Sequence, residues 1–223
     1  MGGGDPKRLP LIPLPDTVHF PRTELRLHVA EPRYQLLVQD VSEREEAWIG
    51  VVLLKPNFPR DAEGRLEIFP GGTAARLMDV EERPDGHTSV ILHGEFRFEL
   101  TEEIGGSPYR QALVRPVEEP WLNERDAGIV AVRTAIVELV RSLSKELGES
   151  FPLSAEEVVE IAFEEMVNRI ASELDLPALR KLQLLIESLP ERGLSVLSIL
   201  KSRQQVLDLL RPFRKLSAGS ERN

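Results

Sequence analysis

The chain has 223 residues, 41 % of them hydrophobic and 29 % charged, which is near the soluble globular average and sets aside wholesale disorder and fibrous classes. It has no cysteine, which removes disulfides, thiolate metal sites and a cysteine nucleophile; its net charge is -9, and residues 1–120 hold 14 Lys/Arg against 21 Asp/Glu, a balance that weighs against a general nucleic-acid binder. No apolar run approaches the roughly 20 residues of a membrane-spanning helix and the start, MGGGDPKRLP, lacks a signal-peptide stretch, so a cytoplasmic protein with no membrane partner is expected.

Residues 1–8 contain three consecutive glycines and are expected to form a disordered tail. From Leu9 to Glu119 the texture is that of short strands cut by Pro, Gly and Asp-Gly, six or seven in all. ELRLHVA alternates, with Leu25, Leu27 and Val29 on one face and Glu24, Arg26 and His28 on the other, and predicts a half-buried strand. In EPRYQLLVQDV, Pro32 stands near a helix start, and Tyr34, Leu37, Val38 and Val41 follow at helical spacing. WIGVVLL, residues 48–54, is a continuous apolar run, expected to be a central strand covered on both faces. The stretch from Phe58 to Phe69 shows no period and is expected to be a loop. Thr73 to Glu82 and Thr88 to His93 form a predicted hairpin about Pro84-Asp85-Gly86-His87, where Asp-Gly supplies the positive φ of a tight turn. Strands over Phe96 to Thr101 and Tyr109 to Val117 complete the β-rich part.

After Pro120 the period changes. Ile129, Val132, Ile136, Leu139, Val140 and Leu143 predict a long helix stopped at Gly148. Ser154 and Glu157 form a capping box for a second, running to Leu174. A third spans Leu179 to Leu189, and a fourth spans Leu194 to Leu210 and frays towards Pro212.

Several segments in this order resemble the amino-terminal domains of Lon proteases. They are the leucine–proline strand with Leu11, Pro13 and Leu14, the step Phe20-Pro21, the strand Leu25 to Val29, and the helix start Glu31, Arg33, Tyr34. WIGVVLLKP follows, then a hairpin signature carried by Gly72, Thr73, Ala75, Pro84, Asp85, Gly86, Gly94, Arg97 and Phe98, and a closing strand from Tyr109. The resemblance covers Leu9 to Glu119 and extends loosely through the helices. It implies an α+β fold: a PUA-like β-barrel with one packed helix over 9–119, then a bundle of about four helices over 120–216 and a tail over 217–223. The same architecture occurs in the corresponding domain of cereblon.

The resemblance further implies a protein- or peptide-binding module that takes unfolded or apolar segments, in conjunction with a protease on a separate chain. The phosphate-cradling string G-x-x-x-x-G-K-[ST] is missing from these 223 residues, so neither ATPase nor peptidase activity is expected. An RNA-binding role of a PUA-like barrel is the alternative, opposed by the acidic balance.

His19, His28, His87 and His93 show no metal-ligand spacing, and no cofactor is expected. Ser142 and Lys145 match S-x-x-K, but chance on a polar helix face explains that spacing better than a nucleophile does. Peptide-binding candidates are Phe20, Pro21, Glu31, Arg33, Tyr34 and Phe58. For Glu31 and Arg33 the competing expectation is structural, a dipole partner and an ion pair fixing the helix to the barrel. Phe58, clamped between prolines, is either an anchor for a partner or a plug over the barrel end. Residues 146–175 hold nine Asp/Glu against one Arg and 177–215 hold eight Lys/Arg against three Asp/Glu, which favours complementary faces within the bundle. The oligomeric state is not legible.

Overall fold

The computed structural model describes residues 6–56, 66–84, 86–119, 122–148 and 151–220, with residues 212–220 described as backbone only. Phe58 and Asp85 lie outside the described residues. The chain divides into two compact units, one of residues 1–120 with 174–188, the other of 121–173 with 189–223.

Six strands and two helices build the first unit: β1 (Lys7–Leu14), β2 (Glu24–Val29), α1 (Pro32–Ser42), β3 (Trp48–Leu54), β4 (Ile68–Glu82), β5 (Thr88–Ile104), β6 (Gln111–Val117) and α5 (Ala178–Ile186). The strand order is β2-β5-β4-β3-β1-β6, and β5 also pairs with β6, so the pairings β5-β4-β3-β1-β6 return to β5 in a closed circuit. β1 and β3 are parallel; the other pairs are antiparallel. β1 begins two residues before the expected Leu9. Lys7 and Arg8 lie opposite Val114 and Leu113, and Arg8 donates to Gln111 Oε1 at 2.7 Å, so both belong to the sheet and not to a tail.

The runs expected as two strands, 88–93 and 96–101, are one. Ala75 faces Gly94 and Ala74 faces Phe96, so Glu95 is an extra residue, and the bulge lets a single strand change direction and serve β2 first and β6 later. The hairpin falls where Pro84-Asp85-Gly86-His87 places it. Arg83 N–H bonds the His87 carbonyl at 2.9 Å, and Gly86 adopts φ 80°.

β3 is covered on both faces, as its unbroken apolar run requires. Ile49 and Val51 join Ile12, Val90, Leu92 and the α1 residues Tyr34, Leu37, Val38 and Val41 in one core. Val52 joins Leu9, Leu11, Ile68, Phe98 and Val114 in a second. Gly50 makes that second core possible, since a Cβ there would stand 2.5 Å from Leu11 Cδ2 and 3.2 Å from the Phe98 ring. Tyr109 pins α1 from the far side, donating to Asp40 Oδ2 at 2.7 Å.

The second unit holds α2 (Ala127–Leu147), α3 (Ala155–Val159), α4 (Phe163–Glu173) and α6 (Leu189–Ser220), so among the described residues five helices follow residue 120 where about four were expected. The extra one comes from a break in the helix expected over 154–174. The Arg133 guanidinium donates to the carbonyls of Val159 (2.9 Å) and Ile161 (2.6 Å), and Glu124 accepts from Phe163 N–H (3.1 Å), so side chains replace the helical bonds lost at the break. The capping box at Ser154 forms as predicted. α6 continues past Pro212, where fraying was expected. Arg192 is fully buried and donates to Asn168 Oδ1 at 2.6 Å. Arg211 and Glu146 pair at 2.8 Å, joining the basic and acidic segments.

Candidate functional site

Two of the residues singled out in the sequence, Phe20 and Pro21, are buried, Phe20 with 0 % exposure. They form the centre of a tight loop between β1 and β2. Thr23 Oγ1 donates to the Phe20 carbonyl (2.8 Å), Thr73 Oγ1 to the His19 carbonyl (2.6 Å), and Arg22 N–H to the Gly94 carbonyl (2.8 Å). Arg22 carries a φ of 63° to make the turn. Gly94 returns its own N–H to the Thr23 carbonyl at 2.9 Å. The Phe-Pro step and the Gly-x-x-Arg-Phe step, far apart in sequence, are therefore one joint, and Phe20 and Pro21 offer a peptide no surface.

His19 sits inside this joint at 3 % exposure, its Nε2 3.0 Å from the Thr23 carbonyl. A carbonyl only accepts, so Nε2 carries a proton. Burial, only partly opposed by that bond, lowers its pKa from 6.5 to about 4, with His93 adding a small push in the same direction.

Arg97 is the second fixed point. It is 6 % exposed; Nη1 donates to the carbonyls of Leu185 (2.7 Å) and Glu187 (2.9 Å), and Nη2 pairs with Glu119 (2.7 Å). Carbonyls at a helix C-terminus lack intrahelical partners, and a guanidinium there satisfies them while meeting the negative end of the dipole. This anchors α5 on the sheet. Nothing in the spacing of Arg97 marks that role.

Glu31, Arg33 and Tyr34 come together at the start of α1, though the ion pair does not fix the helix to the barrel as the structural expectation had it. Glu31 is the N-cap residue but its side chain makes no capping bond. Arg33 pairs with Glu31 itself (2.6 Å), both side chains being about half exposed, so the pair does not tie the helix to the sheet. The Arg33 guanidinium lies 4.8 Å from the centre of the Tyr34 ring, and that ring is buried in the α1 core. Burial raises the Tyr34 pKa above its ordinary value.

Two clefts flank α1. One, of about 210 Å³, is lined by Pro13, Pro15, Leu27, Glu31 and Tyr34. The other, of about 560 Å³, lies between α1 and the β4–β5 hairpin, with Pro32, Gln35, Leu36, Val80, Glu82 and His87 on its walls. Among the described residues no group of three or more His, Asp or Glu is placed to hold a metal ion. Ser142 is half-buried and Lys145 exposed on α2. No described helix is long and apolar enough to cross a membrane.

A closed circuit of strands followed by helices is the fold of Lon amino-terminal domains. The N-terminal domain of a Mycobacterium avium complex Lon protease superposes with a TM-score of 0.67 at 16 % identity, over 87 % of this chain and 98 % of that one. A Lon N-terminal domain protein from Xanthomonas campestris gives 0.62 at 24 % identity, over 86 % and 98 %. The chain belongs to the family of the ATP-dependent protease La (LON) substrate-binding domain, whose model matches residues 8–202. Lon proteases of Flavobacterium johnsoniae and Anaeromyxobacter dehalogenans are each 30 % identical to it over 207 residues, 92 % of this chain. The chain spans only 25 % and 24 % of those proteins.

Proposed function

We propose that this chain is a non-catalytic binding module that holds unfolded or exposed apolar segments of other proteins in the cytoplasm. The observation that carries the proposal is the substrate-binding family match over residues 8–202. The smaller cleft beside α1 supports it, since the apolar walls made by Ile12, Pro13, Leu14 and Leu27 with a few polar groups are the ordinary form of a binding site. Glu31, on the wall of the smaller cleft, and its exposed partner Arg33 are the side chains proposed to meet a client; Phe58 stays a candidate from the sequence alone. Clients held here are available to a protease on another chain, and no bond is made or broken by the module itself.

The test is a titration of the purified chain against a fluorescently labelled, permanently unfolded protein, with a folded form of the same protein and a tRNA as controls. Saturable binding of the unfolded form alone is the expected result. Binding of the tRNA alone, or of nothing, overturns the proposal.

A further inference from the structure

β2 accompanies β5 to the hairpin, Val29 lying opposite Thr88, but β4 runs on past the end of β3, and among the described residues this leaves one side of β4 without a partner strand. β3 accompanies β4 only as far as Arg76, which lies opposite Trp48, and the last bond on that side runs from Leu77 N–H to the Ala47 carbonyl at 2.8 Å. From Asp79 to Glu82 the strand is paired with β5 on one side, Met78 being the extra residue of a bulge, and among the described residues no strand pairs with the other; the Val80 N–H meets Asp79 Oδ1 at 3.0 Å, a contact that an added strand displaces. Five residues of extended backbone offer about 17 Å of edge. The neighbouring wall is α1, across the cleft of about 560 Å³.

Helix on one side and open strand edge on the other is the arrangement in which an extended peptide adds itself to a sheet, main chain to main chain, with alternate side chains entering the cleft. The cleft presents exposed apolar side chains from both walls, Leu36 at 38 % and Val80 at 38 %, and Met78, at 58 %, begins the edge. The surroundings are acidic. Asp79, Glu81 and Glu82 are exposed along the edge, and Glu43, Glu45 and Glu46 are exposed in the turn from α1 towards β3, with Arg44 among them and Lys7 and Arg8 beside Glu46. Arg83, at the end of the strand, is engaged by Ser89 Oγ at 2.6 Å.

We infer that the open edge Met78–Glu82 takes an extended segment of an unfolded protein as an added strand, and that the segments preferred alternate apolar with basic residues. The inference rests on the binding function proposed above and names its mode and its ligand class. Apolar side chains of such a segment enter the cleft beside Leu36 and Val80, while its lysines or arginines meet the carboxylates around it. Complementary charge of this kind selects among clients and speeds encounter more than it adds to final affinity.

The experiment uses the full chain and two probes, a ten-residue peptide alternating valine with lysine and one alternating valine with glutamate. The lysine peptide is expected to bind at least tenfold more tightly, and to slow hydrogen exchange of main-chain amides within Met78–Glu82. Asp79→Lys with Glu81→Lys is expected to weaken it at least tenfold and to reverse the preference between peptides, with the unfolding midpoint confirming that the fold is kept. Equal binding of the two peptides, or protection confined to amides away from the hairpin, overturns strand addition at this edge. An unfolded protein still bound by the charge-reversed variant as by the parent sinks this mode while leaving the binding function standing. Loss of the unfolded protein by the parent chain sinks the binding function itself.

Discussion

Gly94 and Phe20 touch so closely that a Cβ on Gly94 would overlap the Phe20 carbonyl, and the Pro21 Cα lies 3.0 Å from the same point. The obstacle is backbone held by three hydrogen bonds, so it cannot swing aside as a side chain would. Gly94→Ala is expected to cost about 3 kcal/mol, at the upper end of overpacking changes. Phe20→Ala is expected to cost about 4 kcal/mol through the cavity it leaves. Denaturant unfolding measures both; a Phe20→Ala chain of unaltered stability would return Phe20 to the list of peptide contacts.

The neutral His19 gives the fold a pH dependence with a defined sign. Its folded pKa, about 4, is below the unfolded 6.5. Above pH 6.5 both states are neutral there and the group adds no slope. As pH falls from 6.5 towards 4 the unfolded chain takes up the proton first, and roughly 3 kcal/mol of stability is lost across that window. Other groups titrate in the same range, so the quantity to measure is the stability of the parent chain minus that of His19→Gln. That difference should be flat above pH 6.5 and fall below it; a flat difference down to pH 4 would show that His19 titrates in the folded chain as it does in the unfolded one.

Removing the Arg97 guanidinium leaves the Leu185 and Glu187 carbonyls and the Glu119 carboxylate without their partner. Arg97→Met is expected to cost about 3 kcal/mol and to speed hydrogen exchange throughout Ala178–Ile186. Arg97→Lys is expected to recover little, because one ammonium cannot reproduce a planar fork that serves three acceptors. Full recovery by lysine would mean that charge alone matters at this position.

The Glu31–Arg33 pair is exposed, and double substitution to alanine should change stability by less than about 0.5 kcal/mol. If these side chains meet a client, the same variant weakens the unfolded-protein titration while the melting temperature holds. An unchanged titration removes them from the proposed site.

In the second unit, Arg133→Ala frees the Val159 and Ile161 carbonyls at the break between α3 and α4. A cost of about 2 kcal/mol is expected. Exchange should quicken at the start of α4, and an undisturbed α4 would show that Glu124 alone maintains the break.

What could be read from the sequence followed from local physics. Alternation set β2, an unbroken apolar run set β3 between two cores, and Asp-Gly set the hairpin, because each depends on residues adjacent in the chain. The bulge at Glu95 was missed, since a glycine between two strand-like runs signals equally a turn or a bulge, and only the partner strand decides. The split of α3 from α4 was missed for a similar reason: what stabilises it is Arg133, more than twenty residues upstream. The candidate site fared likewise. Glu31, Arg33 and Tyr34 are neighbours in sequence and meet in space, whereas Phe20 looked available until Gly94, His19 and Thr73 closed around it. An open β4 edge depends on where β3 stops, which no run of residues within β4 announces.

The bond from Arg97 to α5 also has a consequence in time. Residues 174–188 belong with the strands, yet about fifty residues assigned to the other unit are synthesised before them. A nascent chain can complete its circuit of strand pairings once Val117 is available, but the Arg97 guanidinium stays without the Leu185 and Glu187 carbonyls until the ribosome has passed position 187. The strand region thus emerges unfinished, with Arg97 able to hold Glu119 but lacking both of its helix carbonyls. A fragment ending near Glu119 would hold that state permanently, making it a poor stand-in for the unit it was meant to represent.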